Sequence, residues 1–142
     1  MSVTNVIKGV QDIMRQDAGV DGDAQRISQL VWMIFLKVFD AKEEEWELEY
    51  DNYTPIIPED LRWRNWAEDD EGITGDELLD FINNKLFKGL KEMELDETSD
   101  PKSFLVKSVF EDSYNYMKSG ALLRQVINKL NEIDFTVGED RH

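Results

Sequence analysis

Three features of the 142-residue chain predict an all-α fold. Apolar residues recur at spacings of three and four along most of its length, which is the helical period. Alternating apolar and polar residues never run for more than a few positions, so no strand pattern is sustained. And from Asp23 to Tyr50 no proline or glycine interrupts the chain, room for one long helix. The expected architecture is a bundle of about five helices around that long central helix, with a tryptophan-containing non-helical excursion in the middle.

The elements follow in order. Val3, Val6, Ile7, Val10, Ile13 and Met14 make one face of an amphipathic first helix, with Lys8, Gln11, Asp12 and Arg15 opposite. Gly19 and Asp21-Gly22-Asp23 turn the chain, and Asp21 is the expected N-cap of the long helix. Within that helix Arg26, Gln29, Met33, Lys37, Asp40 and Glu44 form a narrow stripe. Ile27, Val31, Ile34, Val38 and Ala41 form another, and Leu30, Trp32, Phe35, Leu36 and Phe39 fill most of the remainder. A helix so broadly apolar belongs at the centre of a core. Its far end, Asp40 to Asp51, holds seven acidic residues against Lys42 alone. Consecutive helix positions point around the circumference rather than converging on a cation, so this block reads as a solvated face.

Pro55 and Pro58 then break the helical pattern, and Leu61 to Ala67 packs Arg62, Trp63, Arg64 and Trp66 together. Interleaved aromatic and basic residues can stack bases and hold phosphates. The plainer reading is that the tryptophans plug the connection onto the core while the arginines meet carboxylates. Glu68 to Gly72 is an acidic turn. Thr74-Gly75-Asp76-Glu77 has capping-box spacing and opens a helix with Leu78, Phe81, Ile82 and Leu86 inward, ending near Gly89. Asp100-Pro101 caps and starts a further helix through Phe104, Leu105, Val109 and Phe110. Glu111 to Gly120 is irregular. Ser119 caps the last helix, with Leu122, Leu123, Val126, Ile127, Leu130 and Ile133 inward and Arg124, Gln125, Asn128, Lys129 and Glu132 outward.

At this length and with 41% hydrophobic residues the chain folds as one domain. A formal net charge of −15 repels phosphates on average, so contact with nucleic acid requires a local basic patch or other subunits. The absence of cysteine removes disulfide and thiolate chemistry. The apolar run Leu30–Leu36 is too short to span a bilayer, no secretory signal opens the sequence, and a cytoplasmic location is expected. The single histidine is His142, which leaves no imidazole base and no histidine-ligated metal site. No nucleophile elbow, phosphate-binding loop or glycine fingerprint occurs. On its own the chain is expected to be inactive and to hold no cofactor or metal.

Three stretches resemble one family: Asp12 to Arg26 running into Gln29 to Asp40, Ile57 to Ala67, and Asn115 to Phe135. Together they look like the start of the modification (M) subunit of type I restriction-modification systems, and the likeness covers nearly the whole chain. It implies that residues 1–142 are a single helical N-terminal domain of an S-adenosylmethionine-dependent DNA adenine-N6 methyltransferase. The family's glycine-rich cofactor motif and Asn-Pro-Pro-Phe-type motif lie in a following catalytic domain and are missing here, so the chain is expected to be a fragment. The partners implied are the specificity subunit, a second M subunit and the restriction subunit, with DNA met through the assembled complex. Carried onto this sequence, the candidate DNA or subunit contacts are Arg62, Arg64, Trp66, Arg124, Asn128 and Lys129. The competing expectation, from the charge and the acidic blocks alone, is a freestanding acidic helical module that binds a protein partner.

Overall fold

The computed structural model describes residues 2–134; Phe135, at the end of the third stretch of resemblance, and His142 lie outside the described residues. Helix α1 spans Val3–Met14, and Ser2 caps it by accepting from the Asn5 amide at 3.2 Å. It buries Val6, Val10 and Met14 along the last helix, while Val3 stays exposed. Helix α2 is Asp23–Glu49, 27 residues or about 40 Å at 1.5 Å per residue. Its N-cap is Gly22 rather than the expected Asp21, whose carbonyl instead accepts from Arg26 at 2.8 Å.

Helix α3 occupies residues 75–91 and runs two residues past Gly89, as Gly75–Phe81, a π turn at Ile82–Leu86, and Phe87–Lys91. The π turn has a packing reason. Leu78, Ile82, Leu86 and Leu90 are all fully buried and each lies four residues after the last. At 3.6 residues per turn such a row drifts around a helix, and one wider turn brings it back onto a single face. The capping box does not close, because the Thr74 side chain makes no cap bond and Gly75 stands at φ +61°. That left-handed glycine brings its carbonyl against Gly120, where an added Cβ would lie 1.8 Å from the Gly75 oxygen.

Helix α4, Pro101–Glu111, is capped by Asp100, which accepts from the Lys102 amide at 2.9 Å. Residues 113–119 are non-helical, and α5, Gly120–Leu130, is capped by Ser119. No strand occurs among the described residues, and the fold is all-α as expected. Trp32 sits at the centre of the core, fully buried, edge-on to Phe87 at 4.9 Å and tilted against Phe110 at 6.1 Å.

Two expectations about α2 are corrected. Its acidic end is not wholly solvated: Asp40 is 3% exposed and Glu43 0%. And Ile27 and Val31 are not in the core but 58% and 54% exposed, while Arg26, Gln29, Asp40 and Glu43 point inward. The inward polar groups are held there by hydrogen bonds that offset their desolvation, Arg26 by the nearby Val20 and Asp21 carbonyls and the others by partners from distant segments. Gln29 accepts from the Tyr116 amide at 2.7 Å and donates to Asn115 at 2.9 Å. Asp17, in the turn after α1, likewise accepts from the amides of Lys118 and Ser119.

Candidate interaction surfaces

The excursion between α2 and α3 carries three of the six candidate residues, and its shape comes from two carboxylates of α2. Glu43 accepts from the Tyr53 hydroxyl at 2.8 Å and from the amides of Ile56 and Ile57 at 2.6 and 3.2 Å. Three donors arrive there because Pro55 and Pro58 keep this segment out of a helix, which leaves the Ile56 and Ile57 amides available to α2. One turn earlier, Asp40 accepts from the Arg64 amide at 3.2 Å and its Nε at 3.0 Å. Burial pushes the Asp40 carboxyl above its usual range, and the Arg64 guanidinium pulls it only part of the way back. For Arg64 burial works against the charge, but Asp40, Glu44 and Glu47 outweigh it and hold the guanidinium more firmly protonated than usual.

Residues Trp63–Trp66 form a single helical turn inside what was expected to be non-helical. Trp63 and Trp66 are 1% and 7% exposed and meet edge-on at 5.3 Å. Their indole N–H groups donate inward, Trp63 to Asn131 at 2.8 Å and Trp66 to the Leu61 carbonyl at 3.0 Å. Arg62 donates through Nε to the Ile57 carbonyl at 3.0 Å. Neither indole offers an open face for stacking on a base, since both side chains are almost wholly buried.

The other three candidates lie on α5. Arg124 is not outward: it is 5% exposed, and its guanidinium donates to the carbonyls of Ala67 at 2.5 Å, Ile73 at 3.3 Å and Trp66 at 3.4 Å. Desolvation weakens its hold on the proton, opposed by Asp69 and Asp70. Asn128 accepts from Arg124 Nε and donates to the Asp70 carbonyl, and Asn131 donates to the Ala67 carbonyl. Lys129 pairs with Glu132 at 3.5 Å, and its stem crosses Gly9 of α1. The tertiary structure therefore brings Trp66 and Arg124 together and joins Asn128 to the same network, while Arg62, Arg64 and Lys129 stay apart from it.

Residues that organise these surfaces but went unflagged as such are Asp17, Asp40, Glu43 and Asn131. A signal existed for Asp40, which falls on the same helical stripe as Arg26 and Gln29. Glu43 gave none, standing in a run of three glutamates.

Beside the Trp63–Trp66 turn lies an open groove of about 840 Å³, lined by Glu59, Asp60, Asp69, Trp66 and Phe81, with Lys85 ion-paired to Asp60 at 3.0 Å. A smaller concavity of about 280 Å³ contains Lys37, Asp40, Glu44 and Glu68, where desolvation lowers the Lys37 pKa against the pull of the surrounding carboxylates. Among the described residues no group of histidine, aspartate and glutamate is placed to hold a metal ion, and no helix is long and apolar enough to cross a membrane.

Comparison with known proteins points in one direction. A family profile described as the HsdM N-terminal domain matches residues 3–130. The type I restriction enzyme EcoEI methylase subunit of Escherichia coli is 59% identical over all 142 residues, and the chain spans 29% of that relative's length. The fold matches a crystal structure described as a type I restriction-enzyme modification subunit from Vibrio vulnificus YJ016, with a TM-score of 0.86 and 37% identity over 98% of this chain and 32% of that one. It also matches a chain from a structure concerned with complex assembly and conformational transition of the type I R-M system, with a TM-score of 0.81 and 35% identity over 94% of this chain and 26% of that one.

Proposed function

The chain belongs to the family of HsdM N-terminal domains, and from that premise we propose that it is the docking module of a type I methylase subunit. In this reading it is a rigid helical body that joins the parent's catalytic domain to the rest of a restriction-modification complex and helps close that assembly around DNA. Methyl transfer from S-adenosylmethionine to adenine N6 belongs to the parent's catalytic domain, outside residues 1–142. The partners are the specificity subunit, a second modification subunit and the restriction subunit.

One observation carries the mode of action. The arginines at the candidate surfaces are engaged by the domain itself: Arg62 and Arg124 by backbone carbonyls, Arg64 by Asp40. With a net charge of −15 around them, these groups do not form a phosphate-gripping surface. The domain then acts on DNA through the geometry of the assembly, by protein contacts. Of the six candidates, Arg62, Arg64, Asn128 and Lys129 keep part of their surface for a partner. Trp66 and Arg124 would act by holding residues 61–73 in shape.

The test is a reconstituted complex whose modification subunit lacks residues 1–142. The expected result is loss of stable assembly or of DNA retention, read by analytical ultracentrifugation and by methylation with labelled S-adenosylmethionine, while the truncated subunit still binds the cofactor. A truncated complex that assembles, binds DNA and methylates at the normal rate refutes the proposal.

A further inference from the structure

Helix α2 buries polar groups beside its core residues Leu30, Trp32 and Phe39. Its inward row runs Arg26, Gln29, Met33, Leu36, Asp40 and Glu43, four of them polar and all buried. On the far side, about 150° away at 3.6 residues per turn, runs Ile27, Val31, Ile34, Val38 and Ala41. This second row is purely aliphatic, yet Ile27 and Val31 are more than half exposed and the other three are only partly covered. Its spacing of four, three, four, three is the heptad period at which one helix packs on another, and both positions of one register, Val31 and Val38, are β-branched. A helix that spends part of its buried side on Arg26, Asp40 and Glu43 while its aliphatic row stands in water has that row covered in its working state.

The charges beside the row say what covers it. Continued in register, it reaches Glu45 and then Leu48, which is 87% exposed. Here a concavity of about 540 Å³ is lined by Ala41, Glu44, Glu45, Glu47, Leu48 and Arg64. Lys42 pairs with Glu45 at 3.5 Å and Arg64 reaches Glu44 and Glu47, which leaves this end of the row net negative with Glu49 beyond it. A second copy of the chain fits poorly. Parallel pairing sets Glu45 against Glu45, and antiparallel pairing sets the glutamates against the other end, where Asp21 and Asp23 are exposed and Arg26 is buried. We propose that the outer face of α2 is the docking seam for an amphipathic helix of a partner polypeptide, apolar along its length and carrying lysine or arginine where it crosses Glu44 to Glu49.

This deepens the docking reading by naming the surface and the partner's chemistry. The test uses the full chain and two synthetic 28-residue helical peptides with the same Ile/Val/Leu heptad seam, one flanked by lysine and one by glutamate. Fluorescence anisotropy at low salt is expected to show the basic peptide binding about tenfold or more tightly than the acidic one, with the preference shrinking as salt rises. Val31→Ser with Val38→Ser is expected to abolish binding, with an unchanged circular dichroism spectrum confirming the fold. Glu44→Lys with Glu45→Lys, which leaves the apolar row intact, is expected to reverse the peptide preference. Equal binding of both peptides, binding of neither, or a chain that sediments as a dimer dissociated by the serine substitutions each overturns the proposal. If these fail while the truncated complex still cannot assemble, the docking reading stands and only the seam is wrong.

Discussion

Glu43 is the residue whose replacement tests the fold most sharply, because its fully buried carboxylate gathers three donors from the segment that follows α2. Its side chain is fully buried, and it holds the Ile56 amide at 2.6 Å, the Ile57 amide at 3.2 Å and the Tyr53 hydroxyl at 2.8 Å. Glu43→Ala strands two backbone N–H groups that cannot turn away, at about 1–3 kcal/mol for each buried donor left unmade. The void left by the side chain adds about 1 kcal/mol. Relief of the carboxylate's own desolvation offsets part of this, so the net loss is about 2–5 kcal/mol. Against a total stability on the order of 5–15 kcal/mol, that is a large fraction. Glu43→Gln keeps the shape and one strong acceptor but turns a donor toward the remaining amide, and is expected to cost about 1–3 kcal/mol. Urea unfolding followed by tryptophan fluorescence reads both, since the Trp46 ring lies 5.9 Å from Tyr53. The reasoning is refuted if the alanine variant stays within about 1 kcal/mol of wild type, or if glutamine costs more than alanine.

Three further substitutions probe the other joints. Gly120→Ala drives a Cβ to 1.8 Å from the Gly75 carbonyl oxygen and is expected to lose about 2–4 kcal/mol, a drop in Tm on the order of 10 °C; an unchanged Tm would show that α3 and α5 can part freely. Arg124→Ala leaves the carbonyls of Trp66, Ala67 and Ile73 without this donor, and amides in residues 66–73 are expected to exchange with solvent at least about tenfold faster, with Arg124→Lys restoring only part of the protection. Unaltered exchange there would mean that the segment is held without Arg124. For Asp40 the sign follows from its raised pKa: the folded chain keeps this proton where the unfolded chain has released it. Wild type should therefore gain stability relative to Asp40→Asn as pH falls from about 7 towards about 4, and lose that gain as pH rises through the raised value. Paired urea titrations that show a constant difference, or one of opposite slope, contradict the assignment.

Much of the molecule was legible in the residues because its signals are local. The caps at Ser119 and Asp100, the proline opening α4 and the three-four rows of α1 and α5 each depend on neighbours within a turn, and the structure realises them apart from Val3, which stays exposed. The resemblance carried by residues 12–40, 57–67 and 115–135 pointed to the family before any fold was considered. The capping box at Thr74 failed where a non-local contact took over, since Gly75 serves the approach to Gly120 instead. The outward placement of Arg124 failed for the same reason: it has the outward spacing on α5, but carbonyls of residues 66–73 lie across it.

What the sequence determined by itself is the helical class and the order and near-boundaries of the five main helices, consequences of period, caps and residue type. Which side of α2 faces inward was decided only by tertiary structure. Both of its rows repeat at helical spacing, and periodicity tells that two faces exist without telling which one meets the core. The choice fell to donors and acceptors far along the chain: the amides of Ile56, Ile57, Arg64 and Tyr116 reach Glu43, Asp40 and Gln29. With these groups satisfied, the polar row can be buried and the aliphatic row is left outside for another helix to cover.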